Sequence, residues 1–203
     1  MKQNPSIFNN ILGPVMRGPS SSHTAASWRI AKVTLDLLND ELSEALVEFE
    51  EKGAWASNYE PQGTVLGMSG GLLNIDLIEE KILDYKNIEH NRNVKIEYRV
   101  SLFPADHPNT VKLTLKGIKG KKIKAVSTGG GMMEIRQING IPVSIGGDYH
   151  ELWIFYDHIL EEKEKKKIGD FLSEKGFVHW KKHEGFQALQ VKSNKPLEKN
   201  LQN

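Results

Sequence analysis

Residues Gly18 to Thr24 read G-P-S-S-S-H-T, a row of serine hydroxyls running into an imidazole. Upstream, Gly13, Pro14, Gly18 and Pro19 forbid regular structure. Downstream, Ala25, Trp28, Ala31, Leu35 and Leu38 recur at helical spacing. Ser21, Ser22 or Thr24 is therefore expected to cap a helix whose first backbone N–H groups point at whatever occupies the loop. Such a helix end attracts anions, the carboxylate of an amino acid among them. His23 is the one side chain of the run that exchanges protons near neutral pH. Together these residues describe a place where a small acid binds and loses a proton. The same pattern also fits an ordinary helix cap beside a solvated histidine.

The elements that must position this run follow from periodicity. A helix is predicted from about Thr24 to Leu38, then a strand at Glu44 to Glu50. A Gly-, Ser- and Asn-rich loop, interrupted by Trp55 and Tyr59, is predicted from Gly53 to Gly71. Asn74 or Asp76 should open a second helix with Ile78, Ile82 and Tyr85 on one side. From Asn93 to Phe103 apolar and polar residues alternate, the clearest strand signal in the chain. Further strands are predicted around Val111 to Leu115, at Ile123 to Ser127 and at Met133 to Ile138. The fold class is α+β: a mostly antiparallel sheet with flanking helices. After Gly146-Gly147 the composition shifts. A strand (Glu151 to Asp157), a charged helix (Glu161 to Lys175, with Ile168, Phe171 and Leu172 inward) and a hairpin around Glu184-Gly185 make a small β-α-β-β module. The expected domains are thus 1–147 and 148–203, with a frayed tail from Lys195 to Asn203.

Composition limits the function. The 203 residues can bury a sizeable core, and the formal net charge of +1 provides no field to recruit nucleic acid or an anionic membrane. The run Glu161 to Lys167 mixes signs and reads as a solvated helix face. Apolar runs are too short for a membrane span, and Met1 to Asn10 lacks the apolar centre of a secretory signal, so a cytoplasmic protein is expected. The chain has no cysteine, so it forms no disulfide and offers no thiolate to zinc or to an iron–sulfur cluster.

The seryl run is followed, in order, by His107-Pro108-Asn109-Thr110-Val111, by Ser127-Thr128-Gly129-Gly130-Gly131 with Met133-Glu134-Ile135, and by Ile138-Asn139-Gly140. This ordered set resembles the β chain, or β domain, of the iron–sulfur-dependent L-serine dehydratases, over about Ile11 to Gly140. The resemblance implies conversion of L-serine to pyruvate and ammonia without pyridoxal phosphate. It also implies a 4Fe-4S cluster, held by cysteines of a partner α chain, that acts as a Lewis acid on the substrate hydroxyl. The lack of cysteine fits the β half of such a hetero-oligomer, with a small amino acid as substrate. Carried over by position, His23 is the expected proton acceptor or polariser, and Ser20, Ser21, Ser22 and Thr24 the expected substrate contacts. A helix N-terminus disfavours the imidazolium and so favours a neutral base. His107 and Asn109 read first as turn chemistry, with Asn capping and Pro fixing the bend, and have at most a supporting role, Asn109 as a substrate contact. The glycines of 129–131 allow close backbone approach or a tight turn, and their spacing is not a dinucleotide fingerprint.

Two departures stand against the family pattern. Where such chains carry Gly-Ser-Phe-Ala and Lys-Gly-His-Gly-Thr-Asp, this one reads Gly53-Ala54-Trp55-Ala56 and Glu60-Pro61-Gln62-Gly63-Thr64-Val65. A histidine has become Gln62 and an aspartate Val65, which removes a titratable pair. Gln62 and Thr64 remain expected substrate-binding residues. The alternative is a catalytically impaired β-like chain that binds an amino acid and regulates its partner. The C-terminal module has room for half of an ACT domain, β-α-β-β, and is expected to be ACT-like, with dimerisation through its sheet edge as one use. A structural appendage without a ligand is the other reading.

Overall fold

Apolar residues spaced three and four apart after the seryl run form α1 (Ala26–Leu38), which buries Ile30, Ala31 and Leu38. Asn39 ends it in the left-handed conformation, at φ 51°, and donates its N–H to Leu35 O. The computed structural model describes residues 15–118, 120–156, 158–183 and 186–197. The Met1 to Asn10 segment, Gly13 and Pro14, the Glu184-Gly185 turn and the end of the tail from 198 lie outside the described residues. The chain divides into two compact units, Met1–Gly146 and Gly147–Asn203.

In the first unit β1 (Glu44–Glu50), β2 (Lys95–Ser101), β3 (Thr110–Lys116), β4 (Lys121–Gly129), β5 (Met132–Ile138) and β6 (Ile141–Ile145) form one sheet in the order β2-β1-β3-β4-β5-β6. All neighbours are antiparallel except β1 and β2, where Val47 pairs with Tyr98. A parallel pair needs a crossover. Helices α2 (Thr64–Leu72) and α3 (Tyr85–Asn91), joined through a 3-10 turn at Glu80–Asp84, supply it. The architecture is α+β, as the alternation of strand and helix signals predicts. Its core takes Val47, Phe49, Leu113, Ile135 and Ile138 from the sheet and Ile30 and Met68 from the helices, all buried.

Three segments differ from expectation. The Gly-rich stretch is a loop only as far as Gly63; from Thr64 it is α2, almost wholly buried. Gly63, Gly67 and Gly71 recur every four residues on the side that meets Thr24, Ser27 and Ala31, just before and within the first half of α1. A Cβ at Gly67 would fall inside the van der Waals envelope of Thr24 O and Ser27 Oγ. The glycines are therefore a helix contact surface, and composition alone disguised it as loop. The second helix starts later than Asn74 or Asp76, and of its expected inner face Ile82 is buried whereas Ile78 is 63% exposed. Strand β6 was not anticipated. It follows a tight turn in which Asn139 and Gly140 take φ of 50° and 84°, the left-handed pair that an Asn-Gly hairpin turn requires.

The second unit is β7 (His150–Tyr156), α4 (Glu162–Ser173), β8 (Phe177–His183) and β9 (Phe186–Ser193), with sheet order β7-β9-β8. A capping box between Glu161 and Glu164 starts α4. Leu172, Leu189 and Val191 make its core, with Leu152, Ile154, Ile168, Val178 and Trp180 packed around them. Phe171, expected to face inward, is 65% exposed. The buried stripe is centred between Ile168 and Leu172, one turn apart, and Phe171 falls outside it. Leu189→Ala is expected to destabilise this unit by about 2–5 kcal/mol, because so small a core cannot collapse around the lost volume. Thermal unfolding followed at Trp153 and Trp180 fluorescence checks this.

A seryl-histidine turn as candidate active site

Ser20 sits in extended backbone, at φ −134° and ψ 124°, immediately before a single π-helical turn, Ser21–Ala25, that leads into α1. Its carbonyl accepts the N–H groups of His23 and Thr24 at 3.1 and 2.7 Å. Capping by Ser21, Ser22 or Thr24 is not what the structure contains: Ser20 holds the cap position, and no side chain makes a cap hydrogen bond. The hydroxyls are used elsewhere. Ser20 Oγ lies 3.0 Å and Ser22 Oγ 3.2 Å from His23 Nδ1, and the two oxygens are 3.2 Å apart. The π turn brings hydroxyls at positions 20 and 22 onto one edge of the ring.

The other ring nitrogen faces a different segment. His23 Nε2 is 3.0 Å from Asn58 Oδ1, and the Trp55 ring lies 5.9 Å away, tilted by 39°. Trp55 and Tyr59 anchor the loop between β1 and α2 by packing on Phe49, at ring distances of 5.8 and 4.8 Å. Asn58 stands between them, its N–H donating to Trp55 O and its carbonyl accepting from Gln62 N. Burial holds the half-buried imidazole below the ordinary histidine value of 6.5, and the hydrogen bond to Asn58 works in the opposite direction. Burial thus favours the neutral ring, whose Nδ1 edge is lined by hydroxyls.

The remaining residues brace this turn. Thr24 is fully buried, and its Oγ1 donates to Gln62 O at 3.0 Å. Gln62 thus meets the turn through its backbone carbonyl. Thr64 is fully buried as well. Its carbonyl accepts from Ser27 Oγ at 3.0 Å, while its own Oγ1 has no hydrogen-bond partner among the described residues. The side chains of Thr24 and Thr64 are thus enclosed in the protein, and that of Ser21 is half-buried. Ser127, at the end of β4, donates its Oγ to Ser22 O at 2.9 Å and its N–H to Asn109 O at 3.1 Å. Asn109 joins through its backbone, and its N–H donates to His107 Nδ1 at 3.1 Å. Pro108 O accepts the N–H of Ala54 at 2.8 Å, which ties the His-Pro-Asn loop to the loop that carries Asn58. The His-Pro-Asn loop and the end of β4 thus meet the seryl turn, with Ser127 as the link between them, whereas the Asn139-Gly140 turn pairs with Lys122 at the start of β4. Asn58, 35 residues from His23, carries no local signal that could have singled it out.

The residues present do not fit an iron–sulfur cluster. The chain has no cysteine, and among the described residues no group of three or more His, Cys, Asp or Glu side chains is placed to share a metal ion. No described helix is long and apolar enough to cross a membrane.

Fold and site define an α+β protein whose polar side chains converge on a histidine at the entry to its first helix. Comparison with known proteins makes this specific. The chain is 37% identical over 153 residues to the protein of Bacillus subtilis (strain 168) named "Probable L-serine dehydratase, beta chain", a match spanning 75% of this chain and 68% of that one. It is 30% identical over 168 residues to the L-serine dehydratase beta chain of Peptoniphilus asaccharolyticus, spanning 80% and 71% respectively. No family model matches the chain. The chain belongs to the family of L-serine dehydratase β chains.

Proposed function

We propose that this chain is the β subunit of an iron–sulfur-dependent L-serine dehydratase, converting L-serine or a related hydroxy-amino acid to pyruvate and ammonia together with a cysteine-bearing α chain. The observation that carries the reading is a half-buried His23 with the hydroxyls of Ser20 and Ser22 at its Nδ1 edge, in a chain of this family. The cluster belongs to the partner, since no residue here fits it. In the reading, His23 takes the α-proton. The hydroxyls and backbone N–H groups around Ser20, Ser21 and Ser22 hold the carboxylate in the orientation that proton transfer needs. Thr24, Gln62, Thr64 and Asn109 act from behind, by keeping the turn in place. Dimerisation through the edges of the β7-β9-β8 sheet, and a cytoplasmic location, belong to the same proposal.

A base held below 6.5 works over a wider range. It is active when neutral, so turnover should be constant through neutral pH and fall only as pH drops through the depressed value. The acid limb of kcat/KM is expected below 6.5, and a limb at or above 6.5 assigns the titration to another group. The function itself is tested by reconstitution. The chain alone should release nothing from L-serine, and with its cysteine-bearing partner it should release pyruvate and ammonia in equal amounts. A stable complex that binds L-serine but yields no keto acid would point to the regulatory alternative, which the loss of a titratable pair at Gln62 and Val65 favours.

A further inference from the structure

We propose that Asn58 is a positioning residue for His23: its side-chain carbonyl holds the ring as the Nε2–H tautomer, so that Nδ1 is the nitrogen that takes the proton. The inference deepens the reading of His23 as the base and rests on it. A carbonyl oxygen only accepts, so the ring nitrogen 3.0 Å from Asn58 Oδ1 must carry hydrogen. A neutral imidazole has one N–H, which leaves the lone pair on Nδ1. That lone pair faces Ser20 Oγ at 3.0 Å and Ser22 Oγ at 3.2 Å, both able to donate to it. Asn58 is itself fixed, its backbone bonded to Trp55 O and Gln62 N.

The assignment makes the hydroxyl edge the proton path. As the substrate Cα–H bond breaks, its electron pair stays on carbon and the proton arrives at Nδ1. It arrives directly, or through a serine hydroxyl that passes its own proton to Nδ1 while accepting the substrate's. The ring goes from neutral to singly positive and keeps its Nε2–H on Asn58 throughout. The serine hydroxyl that donated to Nδ1 then turns to accept the new Nδ1–H. The neighbours placed against the ring are Ser20, Ser22, Trp55 and Asn58, none of them charged. A neutral amide at position 58 orients the base while raising its proton affinity less than a carboxylate there would.

The test is a long-range proton–nitrogen correlation spectrum of the full chain labelled with nitrogen-15, titrated with acid. The His23 signals are assigned by their loss in His23→Gln. The wild type should show the Nε2–H tautomer, with the added proton going to Nδ1. Asn58→Asp, nearly isosteric, should keep that tautomer and raise the His23 pKa by about one unit or more. Asn58→Leu should let the two tautomers mix. A wild-type Nδ1–H tautomer, with the amide turned so that its NH2 faces the ring, would overturn the proposal. So would an unmoved pKa in Asn58→Asp. Because the spectrum needs neither substrate nor partner, a failure here is distinct from a failure to release pyruvate.

Discussion

Replacing His23 by alanine is expected to lower pyruvate release by the assembled enzyme about 10²–10⁴-fold, the range that a positioned acid–base group contributes. The argument rests on what the ring contacts. One edge meets Ser20 and Ser22, the other Asn58, and the face lies near Trp55. Removing the ring takes away the proposed proton acceptor and leaves polar groups that are only half buried, which water can satisfy. The fold and the affinity for the partner should therefore be kept, and the loss should fall on kcat. Circular dichroism and co-purification with the partner check the first point, steady-state rates the second. Turnover near that of the wild type would remove His23 from the mechanism.

The second large effect is expected on stability. Gly67→Ala places a methyl group against Thr24 O and Ser27 Oγ, and neither can move cheaply. Thr24 O belongs to the π turn, and Ser27 Oγ is committed to the carbonyls of Thr24 and Thr64 at 3.1 and 3.0 Å. Forcing α2 away from α1 should cost about 1–3 kcal/mol, or roughly 2–4 °C of Tm for each kcal/mol in a unit of this size. Because the contact is with the turn that carries His23, activity should fall more than stability alone explains. Thermal melts paired with rates at a permissive temperature separate the two. An unchanged Tm would mean that the two helices are not as closely packed as described.

Much of this was legible in the sequence, for reasons that differ by element. The strands β1 to β5 show period-two alternation, and β7, α4, β8 and β9 carry equally local signals. Strand β6 is only five residues long and contains Pro142, so the Asn139-Gly140 hairpin signal before it is its main mark in the sequence. Helix α2 was missed because glycine lowers helix propensity, and its use as a close-packing surface depends on a partner helix that sequence does not display. The seryl run could be read because its residues are adjacent. The roles of its hydroxyls could not, since a cap and a hydrogen bond to imidazole use the same residue types.

Gln62 and Val65 gain a clearer place as well. Gln62 touches the turn through its carbonyl, a contact that a histidine would make equally well, and Val65 lies in the first turn of α2. Replacing a titratable pair at these positions leaves the bracing of His23 intact.

The measurement that tests the central claim most directly is pyruvate release from L-serine by this chain assembled anaerobically with its cysteine-bearing partner, followed before and after exposure to air. The account expects turnover that disappears in air as the cluster is lost, with this chain still folded and still bound. Turnover that persists in air, or an intact anaerobic complex that yields no pyruvate, would contradict it.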